Sequence, residues 1–395
     1  MRQDETPKLD LRRRVLDSLG AGASESEELL AYNANRFDWS ALKPPVTLPL
    51  PDEPFVAVWE RYQGESVTRT LVDVLREKLV QFGFPIERGI SATAAYQAAT
   101  RRGLLPGGAG ALEIRNPTAL SLVLHPGPAG RLPALVTTER ADFRTLLRAM
   151  AWRNEPADIP DSMGSQMIVG YNNWDRIHAL RRAWEAEHPK DGSGWEAEFA
   201  SIIPRKELYQ DSFMLLCQGP YSGVAAGDLG LDADRWLQAS MTIRLEHEST
   251  HYFTRRVFGS MQNRLMDELM ADYMGIGAVQ GTFRADWFLR FMGLESYPRY
   301  RPGGRLENYR GATPLSEGAF RLLQPLVHAA VRNLEEFDSM MARQVPGPER
   351  RVYTVIGLST LTLEELAASD ASGLLANGYS AARGCFVRTG SSLHA

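Results

Sequence analysis

Apolar residues at Leu71, Val72, Val74, Leu75 and Leu79 recur with the 3.6-residue period of a helix face, so a helix is expected from Ser66 to Gln81, ending before Gly83. Ser91 reads as the cap of a second helix that Gly103 closes. Residues 8–34 are also helical in pattern, with Ser24 or Ser26 able to cap their second piece, and the proline-spaced run 44–54 reads as an extended arm. After residue 103 the pattern shortens. LLPGGAG is a loop, and ALEI, ALSLVLH and LPALVTT are short apolar runs broken by Asn116-Pro117 and Pro126-Gly127-Pro128, the signature of a small sheet. Helical spacing returns at Ala141–Trp152 and at Trp174–Glu187, the latter capped by Asn172 or Asn173, before a Gly-rich break after His188-Pro189. Phe213–Cys217 reads as a strand and Gly219–Gly223 as a turn. The expectation is an α+β chain with a small antiparallel or mixed sheet and a mostly helical C-terminal half. It divides into helices and arm (1–55), an α+β region (56–200) and a third region (201–395).

Composition narrows the function classes. The chain has 395 residues, 44% hydrophobic and 23% charged, with a net charge of −4, so no global field favours nucleic acid. Its short Arg clusters read as solvated helix faces. Two cysteines make no disulfide framework, the N-terminus lacks the apolar core of a secretory signal, and no run reaches the roughly 18 apolar residues of a membrane helix. A cytoplasmic protein is expected. No repeat of solenoid length is evident. Gly107-Gly108-Ala109-Gly110 lacks the Lys-Ser/Thr of a phosphate loop.

The chemistry lies in one place. A helix begins at Asp232 or Asp234, runs to about Val257 and stops before Gly259; it contains His247-Glu248-Ser249-Thr250-His251. Residues i and i+4 share a helix face, so the two imidazoles can converge on one ion, with Glu248 beside it. After a short loop a second helix, from Leu265 to about Gly275, carries Glu268 and Asp272, again four apart. Glu268 can supply a third ligand, and Asp272 can accept a hydrogen bond from the far nitrogen of a liganding histidine. Three protein ligands and one open position are what a catalytic zinc requires.

HExxH followed by ExxxD resembles the gluzincin group of zinc metallopeptidases, the thermolysin-like clan. The resemblance covers roughly residues 207–278. It implies a zincin-like fold, ligands at His247, His251 and Glu268, a general base at Glu248 and a supporting carboxylate at Asp272. It also implies an upstream edge strand that pairs with extended substrate, for which Phe213–Cys217 is in place. Over its whole length the chain looks more like a bacterial family of unknown function, which supplies no activity.

The expected activity is hydrolysis of a peptide or amide bond: zinc lowers the pKa of its water toward ~7, and Glu248 takes the proton and returns it to the leaving nitrogen. Tyr297, Arg299, Arg305 and Tyr309, in a Gly/Pro-rich stretch that reads equally well as an ordinary surface loop, are candidates to clamp a substrate carboxylate or steady an oxyanion; His328 is a further candidate, although a core histidine is the better fit. Arg244 flanks the motif at helical spacing. Other readings compete: a metalloenzyme acting on a small carboxylate-bearing molecule, a non-catalytic zincin-like module, a mononuclear iron site with the same donors, or a di-iron site adding Glu185-Ala-Glu187-His188. The partner is a peptide or small molecule, with no nucleic acid and no membrane.

Overall fold

The computed structural model describes residues 5–104, 111–161, 163–189, 194–261, 264–311 and 313–388. The Gly107–Gly110 run therefore lies outside the described residues. The chain forms two compact units, one of residues 1–50, 127–129 and 220–395 and the other of residues 51–126 and 130–219. The boundaries read from sequence, 55/56 and 200/201, lie within a few residues of the first junction and 19 residues before the second. The N-terminal helices group with the C-terminal region instead of standing apart. Helix Glu5–Ser18 is tied there by Arg12, whose guanidinium lies 3.2 Å from the fully buried Glu364, while Asn33 donates to the same carboxylate at 2.9 Å. No helix among the described residues is long and apolar enough to cross a membrane.

The strands are β1 (Val46–Leu48), β2 (Leu120–Gly127), β3 (Gly130–Thr137), β4 (Ser165–Asn172), β5 (Gln210–Cys217) and β6 (Phe386–Arg388). β1 and β6 pair in parallel within the first unit. The second unit is built on a four-stranded mixed sheet of order β2-β3-β5-β4, with β3 parallel and β4 antiparallel to β5. The α+β class and the mixed sheet thus match the sequence pattern. β5 does not have the role expected of Phe213–Cys217. Its register is filled on both sides, Met214 opposite Ala134 and Met167, and residues 211–217 are all buried. An interior strand has no free N–H and C=O row to offer an extended substrate.

Local chemistry explains most differences in the elements. The helix expected over 66–81 spans Leu71–Lys78, because Thr70 caps it by accepting from the Asp73 N–H, and a 3-10 turn follows at Val80–Gly83. Thr93, not Ser91, caps Ala94–Arg102. Gly22 takes the cap position ahead of Ala23–Tyr32, without a side-chain bond. The run ALEI is not a strand, and β4 forms in a stretch where no strand was expected. Asn173 caps Trp174–Glu187 as expected.

In the first unit, the motif helix (Ala233–Phe258), capped by Asp232 and closed by Gly259 at φ +67°, packs along the carboxylate helix (Leu265–Gln280). The second helix outruns its expected end at Gly275, and that glycine explains the close approach of the pair. A Cβ at Gly275 would lie 2.9 Å from Ile243 Cγ2 and 3.0 Å from the Ile243 carbonyl oxygen. Gly275→Ala is therefore expected to prise the helices apart at a cost of about 1–3 kcal/mol, read as a lowered thermal midpoint. An unchanged midpoint would refute this account of the contact.

Candidate metal centre

The motif helix is polar in sequence yet buried on every side across the motif. His247, Glu248, Ser249, Thr250 and His251 each expose 7% or less of their surface. Burying such groups is costly unless each finds a partner, so this stretch is where function is to be sought. His247 and His251, one turn apart, meet edge to face with Nε2 atoms 3.1 Å apart. Glu268, 4% exposed, enters from the carboxylate helix. One of its oxygens lies 3.4 Å from His247 Nε2 and the other 3.5 Å from His251 Nε2. Tetrahedral ligation at about 2.0–2.1 Å would put neighbouring donor atoms roughly 3.3 Å apart, so these separations suit one ion of zinc's size. Among the described residues this is the one group of three or more His, Cys, Asp or Glu side chains close enough to share an ion. The Glu185–His188 stretch lies in the other unit, with His188 exposed and stacked on Trp184, and joins no such group.

Behind the histidines stands a second layer. His247 Nδ1 lies 2.8 Å from Asp272 Oδ1, and that carboxylate is fully buried. Donation from Nδ1–H leaves the Nε2 lone pair directed at the cluster. Tyr221 donates to the same Asp272 oxygen at 2.6 Å, and its ring sits 5.5 Å from the Arg244 guanidinium, which also donates to the Pro220 carbonyl at 2.9 Å. Arg305 closes the layer. Its guanidinium pairs with Asp272 Oδ2 and donates to Tyr221 Oη at 2.8 Å and Ser222 Oγ at 2.9 Å. Tyr309 donates to Glu268 Oε2 at 2.7 Å. Burial pushes the Tyr221 and Tyr309 phenols well above their ordinary range, keeping both as donors.

Charge points to a cation. Glu248, Glu268 and Asp272 are three buried carboxylates, and the guanidinium bonded within this group is that of Arg305. Burial alone would lower the His251 pKa, but the hydrogen bond to Glu268 and the charges of Glu268, Glu248 and Asp267 outweigh it and push the value up to about 9. Burial would likewise raise Glu268, yet both imidazoles and Arg305 hold it far below the usual carboxylate range. A proton is thus drawn to the position where a divalent ion would balance the excess negative charge. Glu248, next to the first histidine and 7% exposed, accepts no hydrogen bond from any described residue.

The remaining candidates separate. Arg305 is bonded to Asp272 rather than open to a substrate carboxylate, and Tyr309 reaches the cluster through Glu268. Tyr297 and Arg299 are exposed, and Tyr297 stacks on His328 at 4.4 Å between centroids; among the described residues none of these three bonds to the cluster. Tyr221 and Ser222 escaped sequence reading because they stand in a short turn with no periodic or motif signal. Only the folded path of Pro220–Gly223 brings them behind His247.

No curated protein and no solved structure matches the chain. A family described only as of unknown function, DUF7005, matches residues 14–370, a span that includes every residue of this centre, and the chain belongs to that family.

Proposed function

We propose that the protein is a metal-dependent hydrolase of zincin type that cleaves a peptide or amide bond. In this reading His247, His251 and Glu268 hold one zinc ion and Glu248 moves the proton. The observation that carries it is the convergence of two imidazole nitrogens and one carboxylate at 3.1–3.5 Å inside a buried, negatively charged site. An ion held there would supply Lewis-acid activation of water and of the substrate carbonyl. Glu248, uncommitted to any described side chain, takes the proton from the attacking water and delivers it to the leaving nitrogen. Asp272 holds the His247 ring in the tautomer that presents Nε2. Tyr309 donates to Glu268 and so steadies that carboxylate.

The test is metal analysis of the purified full chain. Native protein is expected to carry close to one zinc equivalent, and His247→Ala close to none. Equal metal content in the two, or none in the native protein after growth with zinc, would defeat the reading.

A further inference from the structure

The turn Arg305–Tyr309 is a five-residue 3-10 segment, and its two ends face the two carboxylates of the neighbouring helix. Glu268 and Asp272 are four residues apart on the carboxylate helix; Tyr309 and Arg305 are four apart on the turn. The pairing is one to one. Tyr309 donates to Glu268 Oε2 at 2.7 Å, and Arg305 pairs with Asp272 Oδ2 while reaching Tyr221 and Ser222.

The turn is itself held firmly. Its cap is Gly304, where a Cβ would lie 2.5 Å from the Met292 carbonyl oxygen and 2.7 Å from Gly293 Cα, so backbone rests on backbone at the end of helix Ala285–Met292. From the N-terminal helix Ala23–Tyr32, Tyr32 donates its hydroxyl to the Tyr309 carbonyl, and Arg264, which caps the start of the carboxylate helix, donates to the Tyr32 carbonyl at 3.0 Å.

From this geometry we infer that residues 305–309 form a lock that sets the aim of the metal ligands, with Arg305 and Tyr309 as positioning residues and not as groups that grip substrate. The inference rests on the metal reading above. Arg305 fixes Asp272, Asp272 fixes His247, and Tyr309 fixes Glu268, so two of the three ligands take their orientation from one short turn. Metal affinity then depends on residues that never touch the ion.

The experiment compares the full-length native chain with R305A, R305K, Y309F and H247A. Zinc affinity is read by competition with a chromophoric chelator, and the visible absorption of the cobalt(II) form reports the ligand geometry. R305A is expected to bind zinc 10–100-fold more weakly, the usual consequence of losing support behind a ligand. R305K recovers only part of this, because one ammonium cannot span Asp272, Tyr221 and Ser222 as the guanidinium fork does. Y309F weakens zinc several-fold and shifts the cobalt spectrum. Should R305A fail to fold, R305K and Y309F carry the test, since each keeps the local charge or removes only one hydroxyl. Native zinc affinity in R305K and Y309F, with R305A merely less stable as the metal-free protein, would overturn the lock while H247A still lost zinc. Native affinity in H247A would overturn the metal reading and the lock with it.

Discussion

Glu248→Gln is expected to retain its zinc and lose turnover by about 10²–10⁴-fold, the range of a lost general acid–base. The side chain is buried and nearly isosteric, so the exchange keeps its packing and removes its charge beside His251. What disappears is the ability to accept a proton. The measurement has two halves, metal content and the rate on a panel of fluorogenic peptide and amino-acid amide substrates. Full activity in a zinc-loaded E248Q would remove Glu248 from the mechanism. Loss of both zinc and activity would instead mean that the carboxylate helps to bind the ion.

Asp272→Ala should have the largest effect on stability. The carboxylate is fully buried and joins His247, Tyr221 and Arg305. Removing it leaves a guanidinium of 14% side-chain exposure with Glu268, at 4.0 Å, in place of its close partner. Breaking one partner of such a pair costs about 3–5 kcal/mol, and the remaining Glu268 charge beside Arg305 argues for the lower end of that range. Zinc affinity should fall as well, since nothing then fixes the His247 ring. Asp272→Asn keeps an acceptor for His247 without the charge and separates the two effects. A thermal melt of the metal-free protein together with zinc competition checks both. A D272A chain that melts like the native one would show that the buried pair contributes nothing net.

The sequence by itself determined the candidate ligands and the elements that carry them. HExxH at one-turn spacing, the Asp232 and Gly259 caps, and the Glu268–Asp272 pair on a second helix are all local, and helix geometry turns local spacing into a shared face. Burial of polar residues from His247 to Thr254 was foreshadowed only by the motif, because periodicity marks solvated faces and cannot mark a polar face turned inward. Strand existence was equally local at Phe213–Cys217, but strand position was not: whether β5 lies at an edge or in the interior depends on β3 and β4 arriving from elsewhere in the chain.

Tertiary structure decided the rest. Arg305 and Arg299 look alike in a Gly/Pro-rich stretch, yet one ends bonded to Asp272 and the other faces solvent. Tyr221 and Tyr309 are 88 residues apart in sequence and converge on Asp272 and Glu268 of one helix. The physical reason is that hydrogen bonds and ion pairs act over about 3 Å, whereas the chain path that brings their partners together is set by packing of whole elements. Here that packing includes the Gly275–Ile243 and Gly304–Gly293 contacts, close approaches that a glycine allows but that a single sequence does not announce.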